Sequence, residues 1–271
     1  MNVKRTFAAT LAILAIAAHA YAQEEENGES SAWKPSLELS IDHTSRYLSE
    51  GNVGNPDPVD TIGLTVEFPI TDDLSLHLGG TAIYDETNAC DNRRNVEEWD
   101  WNAGFTFTLN ALPAIGALEI NFDYLYYNYP HDKAHTHDTD TKEYEIDITA
   151  TELFLSPGVV FVHDFENDVI KGNFNITCEL PLDNLLENLS FECPLELWAG
   201  NHQYTGCTSG TTAYSICAQP TLNYEINENL SVATYVQMGW ALDSRVRRDW
   251  KDDENNNAFN ACWGLNMTVS F

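Results

Sequence analysis

Three groups of residues in this chain have the types and spacings that chemistry uses. His131, His135 and His137, interleaved with Asp132, Asp138 and Asp140, bring imidazoles and carboxylates together at spacings of four and two. Such a set suits a divalent cation such as zinc, although a solvated polar loop accounts for the same residues and the spacing matches no defined metal motif. His43 and Ser45 place a base and a hydroxyl on one face of an extended segment, the minimum a lipid-hydrolysing barrel needs on its outer surface. No GxSxG elbow or HExxH pair accompanies them, no motif calls for a cofactor, and enzymatic activity is not expected. The third group is a set of carboxylates, Glu38, Asp42, Glu67, Asp100, Glu119, Asp123, Glu145, Asp147 and Glu225, joined by Arg46 and followed by Glu179, Glu192 and Glu196. Each occupies the polar phase of an alternating segment. Carboxylates aligned on one wall of a water-filled space concentrate cations and exclude anions, or simply keep the space wet.

The elements that would position these groups follow from a period of two. In Ser36 to Tyr47, the residues Leu37, Leu39, Ile41, His43, Ser45 and Tyr47 share one face, and Glu38, Ser40, Asp42, Thr44 and Arg46 share the other. The pattern recurs at Ile62 to Phe68 and, after the turn signal Thr71-Asp72-Asp73, at Leu74 to Tyr84. It recurs again at Trp99 to Leu109, Leu118 to Tyr126 and Tyr144 to Ile148. Its phase blurs near Leu153 to Leu155, before a turn at Ser156-Pro157-Gly158. Val159 to Phe165, Phe174 to Leu180, Leu189 to Leu197, Tyr214 to Ile226, Leu230 to Leu242 and Ala261 to Phe271 bring the count to twelve. Long polar connections at 48 to 60, 85 to 97, 127 to 143, 202 to 213 and 243 to 258 alternate with mostly shorter ones, and 166 to 168 is short on the long side.

The chain opens with a segment of another kind. Lys4 and Arg5 precede the apolar core Phe7 to Ala18, and Ala20-Tyr21-Ala22 ends in a small-x-small cleavage site. Residues 1–22 therefore read as a secretory signal peptide, 23–35 as a polar N-terminal segment and 36–271 as the folded domain. Removing Lys4 and Arg5 takes the formal charge from -29 to -31, which argues against nucleic acid as a partner because a polyanion needs a basic footprint. Past the leader, no apolar run approaches the roughly 18 residues of a spanning helix. Alternating strands need no such run, since only every second residue faces lipid.

Twelve strands, short turns on one side and mostly longer loops on the other predict an all-β, 12-stranded antiparallel transmembrane β-barrel with short periplasmic turns and mostly longer outer loops. A soluble sandwich alternates equally well, but its strands average about five or six residues. Tyr47, Tyr84, Trp99, Trp101, Tyr126, Tyr214, Trp240 and Trp263 gather near strand ends, as in the aromatic girdles of barrels. Strands about 4.8 Å apart and tilted near 40° give a backbone diameter of roughly 24 Å and, without inward loops, a hole of roughly 14 Å. Exported chains form disulfides, so Cys178 with Cys193 across a hairpin, and Cys207 with Cys217 around an outer loop, are expected pairs among the connectivities that six cysteines allow.

His43-Thr44-Ser45-Arg46-Tyr47 followed by Gly51, the Pro157-Gly158-Val159 run leading to His163-Asp164-Phe165, and the terminal Phe271 together resemble a family of outer-membrane porins of the TorF type. The resemblance spans essentially the whole mature chain on short motifs. It implies a barrel in the cell outer membrane, with outer-membrane lipid around it, small ions or solutes inside it, and Phe271 as part of the signal read by the barrel-insertion machinery. In that family an Arg-Gly pair commonly follows the first tyrosine, where this chain has Glu50-Gly51. The reading that joins these observations is a diffusion channel for ions or small hydrophilic solutes, weakly cation-selective. A non-conducting structural or surface-binding barrel and a lipid-modifying barrel enzyme stay open beside it.

Overall fold

A computed structural model describes residues 34–85, 96–112, 115–129, 140–205, 210–252 and 257–271. Its strands are β1 (Ser36–Thr44), β2 (Tyr47–Ser49), β3 (Asn52–Asn55), β4 (Val59–Thr71), β5 (Leu74–Asp85), β6 (Val96–Leu112), β7 (Gly116–Asn128), β8 (Thr141–Thr149), β9 (Gly158–Asp164), β10 (Val169–Pro181) and β11 (Leu189–Gly200). After the short helix α1 (His202–Thr205) come β12 (Thr212–Ala218), β13 (Thr221–Asn227), β14 (Leu230–Ala241), helix α2 (Ser244–Asp252) and β15 (Phe259–Ser270).

Every strand except β2 and β3 belongs to one antiparallel sheet that closes on itself. β1 pairs with β15 from Glu38 opposite Ser270 to Thr44 opposite Gly264, and with β4 on its other side. Phe271 extends this seam by exchanging backbone hydrogen bonds with Leu37 at 2.9 and 3.1 Å. β12 and β13 are two halves of a single stave, since each pairs with β11 and with β14. Twelve staves result. The run expected as one strand from Tyr214 to Ile226 breaks at Pro220, which has no N–H to give to the ladder. The break stays bonded, with Gln219 N donating to Pro194 O at 3.2 Å and Val236 N to Pro220 O at 3.1 Å.

The short connections build their turns from local side chains. Asp73 N donates to Thr71 Oγ1 at 3.2 Å and Asn229 N to Asn227 Oδ1 at 2.9 Å, both side-chain substitutes for backbone turn bonds. The short turn at the other rim is held by Asp164, whose Oδ1 accepts from the backbone of Glu166 and Asn167 at 2.9 and 3.0 Å.

The sheet is greasy on the outside and polar on the inside. Outward positions carry Ile41, Leu76, Leu78, Phe105, Phe161, Phe174, Leu195 and Leu265, and Leu78 and Leu265 are each 55% exposed. Inward positions include buried Glu98, Glu143, Asn173, Ser215 and Asn260, with Ser215 at 0%. Such an inversion is what a barrel in hydrocarbon requires, and the chain is a transmembrane β-barrel in contact with lipid around its circumference. Trp99 and Trp101 stack with centroids 6.5 Å apart, and Trp240 leans on Phe259 at 5.0 Å, as parts of the aromatic girdle. Two expected girdle members are elsewhere. Tyr47 has left the wall with β2, because β1 stops at Thr44. Tyr214 is 2% exposed, turned inward where a bulge shifts the β11–β12 register between Trp198 and Ala199.

Placing a guanidinium at Leu78, near the middle of β5, should destabilise the barrel by about 2–4 kcal/mol. Urea unfolding of Leu78→Arg in lipid vesicles measures this, and an unchanged midpoint would contradict an outward, lipid-facing Leu78.

Candidate functional site: a hairpin across an acidic lumen

Cross-strand register assigns the carboxylates to faces. Glu38 lies opposite Thr65 and Ser270, Asp42 opposite Thr61 and Asn266, and Glu67 opposite Ser36 and His77. Asp100 lies opposite Thr81 and Tyr127, Glu119 opposite Thr108 and Thr149, and Asp123 opposite Gly104 and Glu145. Asp147 faces Asn121, and Glu225 faces Ser231. These nine carboxylates all point to the inside of the ring. Arg46 stands beyond the end of β1, close enough to Cys262 to act on it electrostatically.

Neighbouring polar groups fix several of them. Asp42 accepts from Tyr235 Oη at 2.7 Å and from Asn266 Nδ2 at 3.3 Å. Asp123 Oδ1 meets His77 Nε2 at 2.7 Å and Asn102 Nδ2 at 3.3 Å. Toward the periplasmic rim, the wall formed by β8 to β11 holds a recess of about 420 Å³ lined by Asp147, Thr149, Asn175, Glu179, Glu192 and Glu196 among others. Glu196 there accepts from Trp198 Nε1 at 2.7 Å.

The outer half of the lumen holds a structure that alternation does not predict. β2 and β3 form a hairpin that enters the barrel, with Ser49 opposite Asn52 and Leu48 opposite Val53. Its tip is Glu50 and Gly51, at φ values of 50° and 87°; two successive left-handed residues make the kind of turn that joins tight hairpins, and glycine takes such a φ without cost. One side of the hairpin packs Leu48 and Val53 onto Cys262 of β15. Its tip rests on β14 and β15. Asn260 Nδ2 donates to Gly51 O at 3.0 Å, and a Cβ at Gly239 would lie 2.2 Å from Gly51 Cα, so only glycine leaves room for the seat.

Glu50 anchors the tip. Lys171 Nζ of β10 lies 2.7 Å from Glu50 Oε1, and the hydroxyls of Tyr204 in α1 and Tyr214 in β12 donate to Oε2. Lys171 also reaches Glu143 of β8 at 3.6 Å and stands over the Tyr204 ring, 5.4 Å from its centroid. Tyr214 in turn packs with Ala241 and Val246 under α2, with Trp198 beside them. At the other end of the hairpin, Tyr47 lies in the fields of Glu98 and Asp100 on the β6 wall. Burial first, then Glu98, Asp100 and Glu50, push the Tyr47 phenol up. Burial and then Glu50 do the same for Tyr204, so both phenols stay protonated. The hairpin thus touches or faces walls on both sides of the barrel.

Glu50, Glu98, Glu143 and Lys171 were absent from the residues expected to line the lumen. The signal for Glu98 lay in extending the alternation of Trp99 to Leu109 by one residue. Glu143 is the last residue of the connection read as 127 to 143, and Lys171 falls between the connector 166 to 168 and the strand expected from Phe174. Nothing in the local pattern marks Glu50.

The remaining candidates resolve differently. Cys178 and Cys193 stand directly opposite each other but face lipid, and both thiols are free, as are Cys217 and Cys262, which face inward. The expected Cys178–Cys193 disulfide is therefore corrected: opposed residues on neighbouring strands keep their Cβ atoms about 4.5–5.5 Å apart, beyond the roughly 3.8 Å a disulfide takes. Cys217 carries no bridge either, and Cys207 lies outside the described residues, as do His131, His135 and His137. Among the described residues no group of three or more His, Cys, Asp or Glu is arranged to hold a metal. On the outer surface His43 Nδ1 sits 3.0 Å from Asp60 Oδ1, with its ring 5.5 Å from that of Trp263. Ser45 Oγ accepts from Trp263 N at 3.1 Å, which ties the hydroxyl to the end of the β1–β15 seam.

No family model matches the chain, and no curated protein matches it. Solved structures do. An outer-membrane channel from Pseudomonas putida F1 aligns over 88% of this chain and 95% of its own, at 12% identity and a TM-score of 0.48. Outer membrane phospholipase A from Escherichia coli aligns over 86% and 92%, at 10% identity and 0.47. The KdgM porin in complex with disordered oligogalacturonate aligns over 87% and 99%, at 11% identity and 0.42.

Peptide mapping after alkylation without reduction should recover Cys178 and Cys193 both alkylated. A peptide pair linked through these two sulfurs would contradict the free thiols.

Proposed function

We propose that this barrel is a diffusion channel for ions and small hydrophilic solutes that favours cations and is narrowed by the hairpin of residues 47–55. One observation carries the reading: among the described residues of the sheet, Lys171 is the only Lys or Arg on the inward face, against more than a dozen inward carboxylates. Lys142, the other basic residue in the strands, is on the outward side and bonds Glu166. Carboxylates on facing walls of a narrow lumen lie within about 8 Å, the screening length at physiological salt, of ions passing between them, so their fields overlap along the path. The recess with Asp147, Glu179, Glu192 and Glu196 extends that field toward the periplasm.

The hairpin favours a second reading, a plugged and non-conducting barrel, since it crosses the lumen near its outer end. The resemblance to porins of the TorF type supports the channel. Phe271, bonded into the closing seam, is then the residue through which the insertion machinery would recognise the chain.

Recordings in planar bilayers separate the readings. The channel predicts stepwise conductance and a reversal potential of cationic sign across a potassium chloride gradient. That preference should weaken in Glu179→Gln/Glu192→Gln/Glu196→Gln, and should fade near 1 M salt, where screening shortens to about 3 Å. Preference for chloride would overturn the selectivity, and a silent bilayer would favour the plug.

A further inference from the structure

We propose that Lys171 is the residue that positions the constriction: clamped between Glu50 at the hairpin tip and Glu143 on the wall, it keeps the hairpin seated across the lumen. This rests on the channel reading for its consequence, a narrower pore, but the seating itself is a property of the barrel. The argument starts from charge. Lys171, Glu50 and Glu143 are 15%, 9% and 9% exposed, so water screens them little. An ammonium between two carboxylates leaves a net charge of minus one, spread over donors from Tyr204 and Tyr214. Without the ammonium, two buried carboxylates face each other with one counter-charge lost. A buried ionic group that loses its partner keeps its desolvation cost and gains nothing in return. Glu143 is fixed in β8 by pairing on both sides, but Glu50 is at the tip of a two-stranded hairpin that can leave.

Beside the clamp, Leu48 and Val53 bury two side chains against Cys262, Asn260 gives a hydrogen bond to the tip, and Tyr204 and Tyr214 donate to Glu50. A lone two-stranded hairpin is marginal in water, so its place depends on the contacts at its end. The ionic clamp joins that end to β8 and β10, farther along the same arc of wall from β6, whose Glu98 and Asp100 lie near Tyr47.

Cys262 supplies a reporter, because it is 5% exposed beneath Leu48 and Val53. Wild-type barrels in lipid vesicles are treated with a charged, water-soluble maleimide and the modified site is located by peptide mass. Wild type should protect Cys262. Lys171→Met should be modified there roughly tenfold faster or more and, in bilayers, should conduct more per channel. Lys171→Arg should restore both values, since it keeps the charge that bridges the carboxylates. Glu50→Gln severs the same clamp from the hairpin side and serves if Lys171→Met fails to fold. Gly239→Val evicts the tip by steric overlap and leaves the clamp residues in place, so it shows what an unseated hairpin looks like. Protection of Cys262 in folded Lys171→Met or Glu50→Gln equal to wild type would overturn the proposal, as would Lys171→Arg as exposed as Lys171→Met. If Gly239→Val exposes Cys262 yet no variant conducts, the channel reading fails while the labelling still decides the seating.

Discussion

Everything in this molecule depends on leaving no backbone N–H or C=O unpaired inside hydrocarbon, where each would cost several kcal/mol. A single chain meets that demand with a sheet only by bringing its last strand back to its first. The β1–β15 seam does this over seven facing residue pairs and is sealed at the periplasmic end by Leu37 and Phe271. Even the interruption at Pro220 keeps its neighbours bonded on both sides. Alternation, inverted burial and the acidic lumen all follow from closure, since a closed ring has an inside that only every second residue can reach.

Closure also explains why the polar interior can be so heavily charged. In a soluble protein, buried Glu98, Glu143 and Asp164 would sit in an apolar core. Here they sit in a wet lumen or bond to neighbours, as Asp164 does to the backbone of its own turn. The expensive place is the outer half of the lumen, where the hairpin displaces water. There, among the described residues, one inward ammonium, the hydroxyls of Tyr204 and Tyr214 and the amide of Asn260 satisfy what the hairpin brings in.

Much of the wall was legible in the sequence because a period of two survives burial on either face: the positions of Glu38, Asp42, Glu119, Asp123 and Asp147 follow from counting along their strands. The departures have local physical causes. A bulge at Trp198 and Ala199 resets the count and sends Tyr214 inward. A proline divides one stave into two. The hairpin at Tyr47 to Asn55 was invisible because a short polar segment next to a rim reads the same whether it points to solvent or into the lumen. Its direction is set by partners far along the chain, Lys171, Gly239 and Asn260, which no local pattern connects to it.

Spreading the greasy residues over alternate positions has an effect before the barrel exists. The chain's mean hydropathy is -0.32, although its finished exterior is largely apolar. A protein secretion pore that halts on a continuous oily stretch finds none in residues 34–271, so this part of the polypeptide can traverse one membrane completely and become oily only where its strands assemble in another. The same dilution leaves the unassembled chain with half of each strand in search of cover, exposed to the aqueous compartment between the two membranes until the ring shuts.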